Sequence, residues 1–490
     1  MSASKDKIIR KQQIEAGTDK RTKAAAEEAK KRRKTNIQYS VIAAILVIVF
    51  AFIFLYNSAL PSRHTTAVTI DGEKYTVAQL NYYYSNSFMS FYNNYYNYIS
   101  YGMFFDPNTS LKEQMYSEDM TWRQYFLESA VDSMTEIQIL NKAAEEAGFV
   151  LPEDQQAEYE EAINSIETSW SGLGYSSLKQ YINMNYGKGV DMDLIRQELY
   201  RTYVASAYSQ HMYDSYDYSV ADLDAYYAEH ADEFDSITYA YVTDYDGVID
   251  AEAVAAAVNG ADEEAFTAYM EENYEGITPT TLTYPGDSLP DGYAAWLLDA
   301  ARAPGDATAV TEDDSSTVVM FVSRDTNEYN PVSFRHILLT ADDADGDGAF
   351  SDEEIAAAAA EAQSVYDEWQ ASAANEDAFA ELANLRSDDE GSNTNGGLYE
   401  TVIKGQMVEP IDAWLFDEAR QPGDTDILSY NGDNYTGTHV VYFVGADELT
   451  YAETIADSTM RNDAYSAWMD GQKEATVVTT SHLRMCGQNH

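Results

Sequence analysis

The chain has one cysteine, Cys486, in 490 residues, so no disulfide can form within it. Its stability must come from ordinary apolar cores, which a chain of this length can build. Positive charge is scarce over most of its length. Residues 1–34 hold 12 Lys or Arg against 5 Asp or Glu, whereas from Arg63 onward 18 basic residues face 78 acidic ones, a net charge of −60. A field of that sign repels nucleic acid and anionic polymers, which excludes nucleic acid as a partner. Between Lys34 and Arg63 there is no charge at all.

That uncharged gap holds an unbroken apolar run from Val41 to Tyr56, flanked by Tyr39 and Leu60. With its neutral flanks it approaches the ~20 residues that a bilayer core requires. The basic side then stays in the cytoplasm and everything after Pro61 is exported. A cleaved signal peptide is the competing reading. The basic leader is long for one, and Asn57-Ser58-Ala59-Leu60-Pro61 is a poor small-x-small cleavage site. The expectation is a single-pass anchor at 39–60 behind a basic cytoplasmic segment at 1–38.

Beyond the anchor, Ala67 to Thr76 reads as a hairpin turning at Asp71-Gly72. From Val77 to about His230 apolar residues recur at three and four, as in Phe126, Ala130, Val131 and Met134, which predicts a mostly helical domain over 66–231. Pro152 fits the first turn of one of its helices. This region holds 23 of the 40 tyrosines, eight of them crowded between Tyr82 and Tyr101 at spacings that put them all around a helix. Exposed tyrosines bind extended peptides with large area and few rotors, and packed tyrosines with solvated hydroxyls are the other reading. Ser458 to Lys473 forms a last amphipathic stretch, and a lone helix needs a groove, so residues 447–490 are expected to dock back on the helical domain.

Between these parts the chain repeats itself. Ala295-Trp296-Leu297-Leu298-Asp299-Ala300-Ala301-Arg302-Ala303-Pro304-Gly305-Asp306 returns 118 residues later as Ala413-Trp414-Leu415-Phe416-Asp417-Glu418-Ala419-Arg420-Gln421-Pro422-Gly423-Asp424. Each phrase is followed by a β-rich run, at Val318 to Val322 and at Val440 to Val444, and each copy opens on a strand pattern, at Ser236 to Val242 and Ser333 to Leu339. One folding unit is used twice, over about 232–327 and 331–446. Only the second copy carries histidines on these strands, His336 and His439; Tyr239 and Thr317 stand at the corresponding places of the first.

In the second copy Phe334-Arg335-His336-Ile337-Leu338-Leu339, Ser387-Asp388-Asp389-Glu390-Gly391-Ser392, Asn395-Gly396-Gly397-Leu398-Tyr399, Lys404-Gly405-Gln406-Met407-Val408 and Tyr435-Thr436-Gly437-Thr438-His439-Val440 follow one another in an order that resembles parvulin-type peptidyl-prolyl isomerases. The wider layout resembles the exported bacterial foldases related to PrsA and SurA. The resemblance implies an α+β chain: a transmembrane helix, a mostly helical chaperone domain, two tandem parvulin-like domains of which the first is degenerate, and a returning C-terminal helix. It makes His336 and His439 the paired histidines of a catalytic site, with Asp389 beside them and Thr436 as a small hydroxyl near His439. Met407, Ile411 and Tyr399 line the proline pocket; Ile411 stands where Phe is usual and Tyr399 where Leu is common. No cofactor is needed for this reaction. Implied partners are unfolded exported polypeptides, with catalysis, or a holding function without it, outside the membrane of a bacterium with a single membrane. A lone thiol at Cys486 leaves open a homodimer.

Between the first strand and first helix of the second copy, residues 343–354 carry acids at positions 1, 3 and 5, Gly at 6 and Glu at 12, the pattern of an EF-hand calcium loop. Ligands would be Asp343, Asp345, Asp347, the Ala349 carbonyl, Ser351 and Glu354. The alternative is a capping box in which Ser351 and Glu354 start the alanine-rich helix that follows.

Overall fold

The computed structural model describes residues 3–16, 20–312, 315–343, 346, 349–432 and 435–487. They form two compact units, one of residues 1–216 with 464–490 and one of residues 217–463.

The first unit begins with the helix Lys20–Asn57, which contains the apolar run; among the described residues it is the one helix long and apolar enough to cross a membrane, and its apolar window is unburied. The rest of the unit is largely helical. Strands β1 (Thr66–Ile70) and β2 (Glu73–Thr76) form the expected hairpin, and Asp71 and Gly72 take the positive φ angles of its turn. Thr76 then starts the helix Val77–Asn94 with a capping box, as Thr121 does for Trp122–Ala147. Pro152 immediately precedes the helix Glu153–Ser169, acting as its N-cap.

The crowded tyrosines divide between the two readings. Tyr82, Tyr83 and Tyr84 are buried, whereas Tyr95, Tyr96, Tyr98 and Tyr101 are exposed. Glu198 has no exposed surface and is held by Gln79 Nε2 at 2.7 Å and the Tyr83 hydroxyl at 2.9 Å, with Arg201 at 3.5 Å. A buried carboxylate is tolerated when it is paired and hydrogen-bonded in this way.

Of the C-terminal segment expected here, residues 464–490 belong to this unit, whereas 447–463 belong to the second. Tyr465, Trp468 and Met469 of the helix Tyr451–Ala475 pack with Ile139, Leu140, Ala144 and Tyr208. The tail then adds a strand that periodicity did not suggest, the last in the chain, and pairs it antiparallel with β1 through Val478 to Thr480. Cys486 lies fully buried at the end of this tail, and burial pushes its thiol pKa up to about 12, so a disulfide between two copies would need the tail to leave its seat.

The second unit contains the repeat. Its first copy has strands β3 (Ser236–Asp244), β4 (Thr280–Pro285), β5 (Ala307–Glu312) and β6 (Ser315–Asp325) in the antiparallel order β4-β3-β6-β5. The second has β7 (Val332–Thr340), β8 (Leu398–Val402), β9 (Thr425–Asn431) and β10 (Thr436–Ala446) in the matching order β8-β7-β10-β9, and the strand of the tail is β11 (Val478–Thr480). In each copy two helices cover one face of the sheet, Ala251–Val258 with Glu263–Asn273, and Asp352–Ala371 with Glu376–Arg386. A short helix covers the other face, Asp291–Leu297 or Glu409–Leu415.

The repeated phrase does the same work twice. Arg302 lies over the Trp296 ring at 4.7 Å and Arg420 over Trp414 at 4.0 Å, each cation also paired with the Asp four residues on. Gly305 and Gly423 donate their N–H to Phe321 and Phe443 carbonyls, which makes Phe321 and Phe443 equivalent. These pair with Tyr239 and Phe334 respectively, each next to a bulge. The register therefore corrects the alignment of the first strands by two residues: Tyr239 occupies the place of Phe334, and Tyr241 that of His336. Thr317 does occupy the place of His439, where it faces Thr243 at 2.9 Å.

Candidate active site

In the second copy, residues of β7 alternate between the two faces of the sheet. Ile337 and Leu339 point to the two long helices, while Phe334 lies in the cluster of the short helix with Val441 and Phe443. His336 shares the face of Phe334. On β10, Val441 pairs with His336 and His439 pairs with Leu338, so the two histidines are diagonal neighbours on one face. Their rings stack at 5.3 Å with 11° between planes, and their Nδ1 atoms are 3.1 Å apart. Both are almost fully buried.

The loop after the helix Glu376–Arg386 brings in the carboxylate. It is fastened to β7: Leu338 N–H donates to Ser387 Oγ at 3.1 Å, Asp388 N–H to the Leu338 carbonyl at 2.9 Å, and Thr340 N–H to Asp388 Oδ2 at 2.9 Å. Asp389 Oδ2 then lies 2.8 Å from His336 Nε2 and accepts the hydroxyls of Tyr399 at 3.0 Å and Ser392. These donors, His336 foremost, hold its carboxyl well below the usual range against the opposing effect of partial burial. Burial, and then the neighbouring His336, push His439 down to about 3, so it is neutral at ordinary pH.

The far nitrogen of His439, Nε2, faces the Tyr435 hydroxyl at 3.0 Å. Because an ionised carboxylate only accepts, His336 Nε2 carries a hydrogen. With His336 neutral, its Nδ1 accepts from His439 Nδ1–H, and His439 Nε2 accepts from Tyr435. The bonds run in one direction, from Tyr435 through both rings to Asp389. A second proton on His336 would reverse the two bonds furthest from the carboxylate.

Gly396 and Gly397 close the site, both at positive φ. The Gly397 carbonyl accepts the His336 N–H at 2.9 Å, and a Cβ on Gly397 would come within 2.2 Å of the His336 carbonyl oxygen.

Of the sequence-derived residues, His336, Asp389, His439 and Tyr399 come together in one network. Thr436 does not join it: its buried hydroxyl donates to Asn431 Oδ1 at 2.8 Å, across the β9–β10 pair. Ile411 is fully buried among Phe334, Val402, Trp414 and Val441, so it offers a ligand no surface; Tyr399, Met407, Val408, Phe416 and Leu428 are the partly exposed members of that cluster. Ser392 and Tyr435 were missed, although both lie in the motifs quoted above. Ser392 could have been found as the hydroxyl three residues beyond Asp389, on the same turn.

Of the calcium-loop residues, Asp345 and Asp347 lie outside the described residues. Asp343 Oδ1 accepts the Gly346 N–H at 2.7 Å, and Ser351 and Glu354 form the capping box, with Glu354 Oε2 accepting the Ser351 N–H at 2.9 Å. Among the described residues, no group of three or more His, Cys, Asp or Glu is arranged to hold a metal ion.

Residues 336–443 match the family model described as Rotamase, PPIC-type PPIASE domain. This part of the chain is a parvulin-type peptidyl-prolyl isomerase domain, and its two ends lie at the stacked histidine of β7 and on β10. No curated protein matches the chain significantly in sequence. Among solved structures, the chain is similar to a Bacillus anthracis peptidylprolyl isomerase (PrsA) at 17% identity, over 30% of this chain and 62% of that one, with a TM-score of 0.19. It is also similar to PrsA from Bacillus subtilis at 11% identity, over 74% of this chain and 93% of that one, with a TM-score of 0.28. A third similarity is to a SurA-like chaperone of Campylobacter jejuni at 11% identity, over 54% and 82% of the two chains, with a TM-score of 0.17. At such scores the fold assignment rests on the strand order and the matched domain, not on these superpositions.

Proposed function

We propose that the chain is a membrane-anchored foldase, in which the domain at 331–446 catalyses cis/trans isomerisation of X-Pro bonds in exported polypeptides. One observation carries this reading: the hydrogen-bonded chain His439, His336, Asp389 lies on the face of the sheet that also presents Met407, Tyr399 and Leu428. Rotation about an X-Pro bond meets a barrier of about 18 to 20 kcal/mol from amide resonance. Bringing it from minutes to milliseconds takes roughly 10⁴ to 10⁵ in rate, about 5.5 to 7 kcal/mol.

No nucleophile or cofactor is needed. An apolar cup around the proline ring disfavours the charge-separated planar amide, and polar groups at its edge favour the twisted transition state. Met407 and Leu428 supply the cup. Asp389, which keeps a fifth of its side chain exposed, and the hydroxyl of Tyr399 supply the polar edge. The histidines hold that edge in place.

The first copy cannot do this: Tyr241 and Thr317 replace the histidines, and no Ser-Asp-Asp loop precedes β4. It would serve packing or peptide binding. The exposed Tyr95, Tyr96, Tyr98 and Tyr101 of the helical unit would hold unfolded segments. The helix Lys20–Asn57 would anchor the chain with its basic end in the cytoplasm and the acidic remainder outside.

Calcium at 343–354 is part of this proposal as a structural ion. Asp343, Ser351 and Glu354 would hold it with Asp345, Asp347 and the Ala349 carbonyl. Glu354 would have to share its cap carboxylate with the ion, and titration calorimetry of the chain beside Glu354→Gln tests whether it does.

The function itself is tested by NMR exchange on a proline peptide with the whole chain, His439→Ala and Asp389→Ala. Acceleration by the parent that is lost in both variants supports an enzyme working at this site. A folded parent that does not accelerate exchange leaves a holding protein without catalysis.

A further inference from the structure

In the first unit a cavity of about 610 Å³ opens where the chain leaves the apolar helix. Four separate segments wall it: Ser58 to Ser62, Asn81 to Ser85, Tyr186 to Lys188 and Arg484 to Gly487. The two charged side chains on its wall, Lys188 and Arg484, are both cations, and no acidic side chain among the described residues lines it. With 18 basic residues against 78 acidic ones from Arg63 onward, two cations on one wall without an acid run against the composition. Lys188 makes no ion pair among the described residues. The hydroxyl-bearing side chain of Ser85 lines the cavity at 2% exposure, with no hydrogen bond to another side chain or backbone group among the described residues.

The wall is built to hold its shape. Gly189 takes a φ of +104°, and a Cβ there would come within 2.8 Å of the Ser62 Cβ. Only glycine allows the Lys188 loop to approach the 58–62 segment so closely. Arg63 fastens that loop by donating from Nε to the Gly189 carbonyl at 2.9 Å. On the opposite wall Asn81 Oδ1 accepts the Gly487 N–H at 3.0 Å, which fixes the tail that carries Arg484.

A cationic, hydroxyl-lined cavity selects an anion with several oxygen acceptors. Its volume falls within the ~300 to 1,000 Å³ of small-molecule sites and far exceeds a single phosphate. It is reached from Ser58, the first residue after the helix Lys20–Asn57. We propose that this cavity binds the phosphate-bearing headgroup of an anionic membrane lipid and seats the exported part on the outer surface of its bilayer. This rests on the reading of that helix as an anchor.

The test is thermal unfolding of the full chain in a neutral detergent, with short-chain phosphatidylglycerol, the matching phosphatidylcholine, or inorganic phosphate added. A ligand well above its Kd should raise the Tm by about 3 °C. The expected result is that rise with phosphatidylglycerol, less than a third of it with the other two, and none in Lys188→Gln or Ser85→Ala. Lys188 is exposed, so Lys188→Gln should unfold at the parent's temperature when no lipid is present. No rise, or an undiminished rise in Lys188→Gln, overturns the site; a rise equal with inorganic phosphate overturns the lipid as its source. These soluble ligands reach the cavity whether or not the helix spans a bilayer. Failure of the anchor is therefore read separately, from release of the chain out of membranes by alkaline carbonate.

Discussion

The Tyr435 hydroxyl lies 3.0 Å from His439 Nε2, the one ring nitrogen that the stacked histidines do not satisfy between themselves and Asp389. A buried acceptor that loses its partner costs roughly 1 to 3 kcal/mol. Tyr435→Phe keeps the ring beside Tyr430 and removes only that hydrogen bond. Residues 332–446 should lose about 1 kcal/mol of stability. The kcat/KM for a proline peptide should fall several-fold with KM little changed, because Tyr435 acts through His439 and does not grip the substrate. An unchanged kcat beside the stability loss would make Tyr435 a packing residue only.

The same network sets a pH dependence. His439 has a folded pKa near 3 against 6.5 for the free side chain, so between these values the unfolded chain binds a proton that the folded site refuses. The stability it contributes is complete above about pH 6.5 and is lost as pH falls toward 3. The depressed Asp389 acts in the same direction, starting near its ordinary value of 3.8. One proton per unfolding event means about tenfold per pH unit. Amide-exchange protection over 332–446, corrected for intrinsic rates, should therefore drop about fiftyfold from pH 6.5 to 4.5, the unfolded histidine being half protonated at the upper limit. Protection that stays level over this range would show that His439 charges readily in place.

Much of this site could be read from the sequence, because strand spacing and motif order carry it. His336 and His439 sit on strands whose alternation is visible, and the acidic turn that holds Asp389 is local. What could not be read depends on pairing between strands. Thr436 shares the motif of His439, but the β9–β10 register pairs it with Asn431 across the hairpin and hands its hydroxyl to that side chain, which the motif alone does not reveal. Ile411 looks like a pocket residue by position, yet the short helix turns it wholly into the core. Tyr239 lies two residues from the place of His336, because the two first strands share no residue that fixes their alignment and only their pairing with β6 and β10 sets it. The tail strand β11 is three residues long, too short for any period to show.

Asp389 accepts at least three side-chain hydrogens, from His336, Tyr399 and Ser392. Asp389→Asn keeps the shape but offers one acceptor and one donor group. All three donors reach Oδ2, whereas Oδ1 accepts the Gly391 N–H at 3.2 Å. With the amide oxygen at the Oδ2 place the directed chain keeps its acceptor but loses its charged end; with the amide nitrogen there, His336 must move its proton to Nδ1, where it meets the proton on His439. Histidine ¹⁵N shifts should report the weakened bond in the first case and a changed tautomer in the second. Charge-assisted bonds are about twice as strong as neutral ones, so isomerisation should slow by roughly 10- to 100-fold. Unchanged ¹⁵N shifts with full activity would remove Asp389 from the site.

Gly397→Ala separates the frame of the site from its chemistry. The residue has a φ of +69°, and a Cβ there would lie 2.2 Å from the His336 carbonyl oxygen and 3.0 Å from the Ala383 Cβ. Both obstacles are rigid, one a strand backbone and the other a buried helix residue, so neither can turn away as a long side chain would. The strand must separate from the 392–397 loop, which breaks the His336 N–H bond to the Gly397 carbonyl and with it the platform of the histidine pair. Positive φ and overpacking each cost about 1 to 3 kcal/mol, so the sum should reach roughly 3 kcal/mol or more. Gly405→Ala is the control: it too has positive φ, but nothing lies within 4 Å of the added carbon. It should cost only about 1 kcal/mol. Comparable amide-exchange losses in the two variants would mean that backbone strain alone accounts for Gly397, and that the close approach to His336 is not what fixes the histidine.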